Sequence, residues 1–166
     1  MSDEQGKAFE KRIRDEALLA NVTCAEIPNK FVGYYSGRPK QVATPFDFAL
    51  GIDGKAVFLE AKACGDLCGF NFKSKVLAPE KIHQYNHLIR AQECGNKAGY
   101  LIHFYKAHRI VWLPVEHIHQ IILNEFNGVK PGDCLIQEQS DETPIKFREI
   151  FWEPVLKVEK SDRYGQ

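Results

Sequence analysis

The chain has 166 residues, 44% of them hydrophobic and 27% charged, with 22 Lys and Arg balanced by 22 Asp and Glu. This length suits a single domain spanning residues 1–166 with a substantial core, and the composition excludes a disordered chain. Zero net charge excludes the strongly basic balance of a dedicated DNA-coating protein, and no apolar run approaches the roughly 20 residues needed to cross a bilayer. The charge is unevenly spread: residues 1–112 hold 16 Lys and Arg against 12 Asp and Glu, whereas residues 113–166 hold 6 against 10. A basic working face and an acidic tail follow.

The segment Met1-Ser2-Asp3-Glu4-Gln5 is acidic where a secretory signal is basic and then apolar, so an intracellular, cytoplasmic location is expected. Ser2-x-x-Gln5 has the form of a capping box, and Phe9, Ile13, Ala17 and Ala20 recur at near-helical spacing, which predicts a helix over residues 3 to 20. Glu10 borders that stripe. Residues 22 to 27 read as a short strand, and Lys30 to Ala43 as a loop or short excursion without periodicity. Asp53-Gly54 is a type I′ hairpin signal centred on residues 44 to 63. After the breaks at Gly65 and Gly69, Pro79 is placed in the first turn of a second helix with Ile82, Tyr85, Leu88 and Ile89 on its apolar stripe, ending at Cys94-Gly95. Residues 98 to 105 and 109 to 113 read as two strands, and Pro114 opens a third helix reaching about Phe126. Beyond Pro131-Gly132 the chain is polar, then apolar at Ile150-Phe151-Trp152, a terminal strand or strap expected to dock on the body. The order predicts an α/β layered fold, a small mixed sheet flanked by helices, with a core over residues 6–125 and a C-terminal extension over 130–166.

Counting outward from Asp53-Gly54 pairs Ile52 with Lys55 and then sets Asp47 opposite Glu60. Opposed like charges destabilise a strand pair, and the alternating Phe46, Phe48, Leu50 and Val57, Leu59, Ala61 reserve the other face for a core. Lys62, two residues beyond Glu60, projects on the acidic face. A hard divalent ion such as Mg²⁺ binds one or two carboxylates and completes its shell with water and substrate phosphate oxygens, so the pair suits metal-dependent phosphodiester hydrolysis with Lys62 beside it. The plain reading, a solvated hairpin with alternating charges, fits an isolated Glu-x-Lys better than it fits this context.

Pro45-x-Asp47 with Glu60-Ala61-Lys62 resembles the signature of the PD-(D/E)XK nuclease superfamily, whose fold is the restriction-endonuclease-like core. Gly6-Lys7-Ala8-Phe9-Glu10, Phe70-x-Phe72, Ile82-His83-Gln84, Ala98 to Phe104 and Trp112-Leu113-Pro114, in that order, resemble the RecU-type Holliday junction resolvases. This resemblance implies that Asp47, Glu60 and the carbonyl of Ala61 hold Mg²⁺ (or Mn²⁺ in its place) and that Lys62 is the catalytic lysine. It further implies that Gln84 stands near the metal and that Glu10 reaches it through water. Gln84 as a solvated helix residue, and Glu10 as a surface partner of Arg14, are the competing readings. A RecU-type stalk does not fit between Lys30 and Ala43, which points to a compact resolvase, host- or virus-encoded, closer in that respect to archaeal junction resolvases.

Lys30, Tyr34, Tyr35, Arg38 and Lys40 combine cations with stacking rings, and Lys73 and Lys75 extend the positive track, so these seven are expected DNA contacts. The five cysteines, Cys24, Cys64, Cys68, Cys94 and Cys134, are odd in number and read as reduced thiols. Cys64-x3-Cys68 lacks knuckle spacing, while His83 with His87 and His117 with His119 lack further ligands at motif spacing. The expectation is an endonuclease that introduces paired nicks in branched DNA as a homodimer, with no membrane and no small-molecule substrate. A restriction or repair nuclease of the same superfamily and a non-catalytic branched-DNA-binding module are the alternatives.

Overall fold

Helix α1 (Ser2–Leu19) forms on the 3.6-residue stripe of Phe9, Ile13 and Ala17, all buried against the sheet. The computed structural model describes residues 2–27, 30–35, 38–42, 44–133 and 135–152, with backbone alone at residues 2, 30–35 and 38–42. After α1 come β1 (Thr23–Glu26), β2 (Lys30–Tyr35), β3 (Arg38–Val42), β4 (Phe48–Ile52) and β5 (Lys55–Cys64). Next are β6 (Phe70–Asn71), α2 (Phe72–Lys75), α3 (Ile82–Glu93), β7 (Lys97–Phe104) and β8 (Arg109–Pro114). The order closes with α4 (Val115–Leu123), β9 (Gly128–Val129), β10 (Gln137–Ser140) and α5 (Phe147–Ile150).

The main sheet has six strands in the order β1-β4-β5-β7-β8-β10, and β5 with β7 is its parallel pair. A parallel pair needs a crossover, which the stretch containing α2 and α3 supplies on one face. Phe48, Leu50, Val57, Leu59 and Ala61 pack with α1 and α5 on one side, while Tyr100, Ile102, Val111 and Leu113 pack with Phe72, Leu88 and Ile118 on the other. The result is the expected mixed sheet between helical layers. Gly99 permits β7 and β8 to approach, since a Cβ there would lie 2.3 Å from the Leu113 carbonyl oxygen.

Several expectations need correction. Lys30 to Ala43 contains an antiparallel β2–β3 pair in which Tyr35 faces Arg38 across two residues. Pro79 lies in a turn, and α3 begins only at Ile82, because Lys81 and Ile82 donate back to the Ala78 carbonyl before regular helical bonding starts. Phe46 leaves the face of Phe48 and Leu50 and stacks on Phe58, 5.0 Å between centroids, since β4 starts after a bend at Asp47. α4 ends at Leu123, short of Phe126.

At the C-terminal side, where a strand or strap is expected, the chain forms the short helix α5 and packs on the body. Phe147, Ile150 and Phe151 enter the core, Trp112 meets Phe151 edge-on at 4.7 Å, and Arg148 donates to the Ala20 carbonyl at 2.9 Å. The Lys55 ammonium lies 5.3 Å from the Trp152 ring. Among the described residues no helix is long and apolar enough to cross a membrane.

Candidate active site

The hairpin turn has the geometry its sequence demands, with Asp53 at φ 49° and Gly54 at φ 79°, both left-handed as a type I′ turn requires. Ile52 therefore pairs with Lys55, and the ladder runs back to Phe48 opposite Leu59. One residue earlier, the Asp47 N–H still donates to the Leu59 carbonyl at 3.1 Å, so Asp47 reaches the position opposite Glu60 although the strand has ended. Its carboxylate then turns along β5, where Oδ2 accepts the Ala61 N–H at 2.8 Å. The N–H and C=O of one strand residue leave on the same edge, so the Ala61 carbonyl also faces the edge that β4 has vacated.

Glu60 is 2% exposed. Its Oε1 accepts the Lys62 ammonium at 2.8 Å and the side-chain amide of Gln84, while the Gln84 Oε1 accepts Lys62 at 3.3 Å. Three side chains from β5 and α3 thus close a ring on one carboxylate oxygen. The other, Oε2, is buried without a hydrogen-bond partner among the described residues. Leaving a buried carboxylate oxygen unpaired is costly. The cost shows in its acidity: burial pushes the Glu60 carboxyl up to about 7, opposed by Lys62 and reinforced by Asp47 and Glu10. Asp47 is raised too, first by burial, against the pull of the Ala61 N–H and Lys62.

Glu10 lies on α1, whose Phe9 packs on the opposite face of the sheet from Tyr100. It is half-buried, and its carboxyl is raised by burial and then by Asp47. Arg14, the alternative partner for Glu10, instead donates to Glu26 at 2.8 Å. Of the expected DNA contacts, Lys73 and Lys75 lie exposed on α2. The side chains of Lys30, Tyr34, Tyr35, Arg38 and Lys40 lie outside the described residues.

Two neighbours escaped the sequence reading. Tyr100 pairs in register with Glu60 across β5 and β7, and its buried hydroxyl has no partner among the described residues. Burial raises that phenol first, then Glu60 and Tyr85. Lys81, the residue preceding α3, is held below its ordinary acidity value by Lys62 first, then by burial and Lys75. Tyr100 sits in an apolar run that signals only core, and Lys81 reaches the site through a crossover that spacing cannot reveal.

The donor set fits a divalent cation in kind. Two raised carboxylates and an unpartnered buried oxygen ask for positive charge beyond what Lys62 supplies. No cluster of three or more His, Cys, Asp or Glu side chains able to hold a metal occurs among the described residues, so an ion bound at the hairpin would rest on Asp47, Glu60 and the Ala61 carbonyl. Such a sparse set suits Mg²⁺ better than Zn²⁺. A cavity of about 480 Å³ bordered by Lys55, Lys97, Trp112 and Trp152 lies at the other end of β5. Its lining includes a single carboxylate, Glu116, and so lacks the paired acids of the hairpin.

No family model matches the sequence, and no curated protein matches it. Among solved structures the chain is similar to Hjc, a Holliday junction resolvase from the archaeal hyperthermophile Archaeoglobus fulgidus. The identity is 18%, the match covers 67% of this chain and 78% of that one, and the TM-score is 0.45.

Proposed function

We propose that this chain is a Mg²⁺-dependent, structure-selective DNA endonuclease that resolves four-way (Holliday) junctions by paired symmetric nicks, acting as a homodimer. The observation that carries the nuclease reading is the buried Glu60 carboxylate, whose Oε2 has no hydrogen-bond partner among the described residues, set beside Asp47 and Lys62. Asp47, Glu60 and the Ala61 carbonyl would hold Mg²⁺, with Mn²⁺ as a substitute; the ion supplies Lewis-acid polarisation of the phosphodiester.

The chain's own groups do the rest. Lys62, held by Glu60 and Gln84, would offset negative charge as water adds to phosphorus and the P–O ester bond breaks, the proton given up by that water ending on the departing alkoxide. Gln84 keeps the Glu60 carboxylate and the Lys62 ammonium in one orientation, so neither must reorganise during the reaction. Glu10 adds negative charge near Asp47 that further favours a bound cation.

The ordered sequence resemblance to RecU-type resolvases supports the junction as substrate. Two cuts related by symmetry need two copies of a site that one chain contains once. Purified protein with Mg²⁺ is expected to cut a synthetic four-way junction in two strands and to spare a linear duplex of the same sequence. Cutting of the linear duplex in preference would assign a restriction or repair role instead, and binding without any cutting would leave a branched-DNA-binding module.

A further inference from the structure

We propose that Lys75 and Lys81 form a seat for a second DNA phosphate, flanking the phosphate that faces Asp47, Glu60 and Lys62. This inference rests on the nuclease reading and adds to it the residues that grip the substrate on the α3 side.

Lys81 is fixed by backbone on both sides. Its N–H donates to the Ala78 carbonyl at 2.8 Å, and its carbonyl accepts the Gln84 N–H at 3.0 Å. It therefore stands one turn ahead of the residue whose side chain bonds both Glu60 and Lys62. Lys75 ends α2, a short helix held by the Asn71 side chain, which accepts the Ser74 N–H at 3.1 Å, and by the buried Phe72 and Val76.

Among the described residues neither lysine has a carboxylate within ion-pair distance; Lys62 alone of the three is paired, with Glu60. Lys62 and Lys75 both disfavour the charge on Lys81, whereas Glu60 and Glu80 favour it. Lys81 stands one turn before the Gln84 that contacts Lys62, and Lys75 ends the helix before it; with two of these ammonium groups lacking an ion-pair partner among the described residues, an anion would relieve them. On a nuclease the anion at hand is the sugar-phosphate backbone. Lysines suit it because they meet phosphate as point charges and read no base, as a structure-selective enzyme requires.

The test is the salt dependence of binding, which counts phosphate contacts without needing cleavage. The intact protein, the double variant Lys75→Gln/Lys81→Gln and a control, Lys97→Gln at the far end of β7, are titrated in EDTA against a fluorescent synthetic four-way junction and a linear duplex. Salt runs from about 50 to about 200 mM. Each phosphate no longer neutralised lowers the slope of log K against log salt by ~0.9, so the double variant, which empties one phosphate seat, is expected to lose ~0.9 while Lys97→Gln keeps the parent slope. With Mg²⁺, its KM for the junction should rise while kcat stays within about threefold, because the lost contact is made equally in ground and transition states. An unchanged slope in the double variant, or an equal loss in Lys97→Gln, would overturn the assignment. If the parent protein never cuts but the slope falls as expected, the phosphate seat survives and the nuclease reading fails. If it cuts and the slope does not move, the reverse holds.

Discussion

Replacing Glu60 by Gln is expected to stabilise the metal-free protein while removing its activity. The Glu60 carboxyl moves from an ordinary 4.5 to about 7 on folding, chiefly through burial. A carboxyl raised on folding binds its proton more tightly in the native state. The resulting stability is complete below pH 4.5, declines as pH rises towards 7 and is absent above it. The shift, already net of the opposing Lys62 charge, corresponds to ~3 kcal/mol. Gln keeps the size and one acceptor for Lys62 and abolishes the titration. Urea unfolding in EDTA at pH 5 and pH 8 should therefore show the parent losing ~2–3 kcal/mol relative to Glu60→Gln across that interval, and the variant the more stable at pH 8. Mg²⁺ should stabilise the parent at pH 8 and leave the variant unmoved. A stability difference that does not change with pH, or a variant less stable than the parent at pH 8, would refute the reasoning.

Gln84→Ala removes the amide that bonds both Glu60 and Lys62 and is expected to lower kcat about 10- to 100-fold with KM little changed, measured by single-turnover cleavage. Gly99→Ala places a methyl 2.3 Å from the Leu113 carbonyl oxygen; a loss of about 1–3 kcal/mol is expected in chemical denaturation. Phe147→Ala empties a core position 2% exposed and should cost about 3–5 kcal/mol. Destabilisation below about 1 kcal/mol, small for a core truncation, would show that α5 is not part of the cooperative core.

The hairpin that carries Asp47 and Glu60 is legible because its turn chemistry is local. Asp53-Gly54 tolerates two positive φ values, that fixes the two-residue loop, and a two-residue loop fixes register as far as Glu60. Alternation then separated Leu59 and Ala61 from Glu60 and Lys62. It failed at Phe46 because period-two counting assumes a straight strand, and the chain bends at Asp47. The edge strand β10 was invisible for another reason: Gln137-Glu138-Gln139-Ser140 has no apolar residue. It joins the sheet through its backbone ladder to β8, with Glu138 accepting from Arg109 at 2.8 Å. His103 was passed over within an apolar run, yet its Nε2 lies 2.8 Å from Asp141 and ties β7 to the chain after β10. Gln84 could be assigned only by resemblance, since a glutamine on a helix is ordinary until the fold points it at Glu60. The expected DNA contacts at Lys30, Tyr34, Tyr35, Arg38 and Lys40 rest on composition alone.

Binding of Mn²⁺, followed by the loss of its free-ion electron paramagnetic signal, tests most directly whether Asp47 and Glu60 share a cation. The parent protein should take up the ion at a site competed by Mg²⁺, and Asp47→Asn and Glu60→Gln should each weaken that uptake at least about tenfold while retaining the parent's circular dichroism. Uptake by both variants equal to that of the parent would place the metal elsewhere and contradict the account.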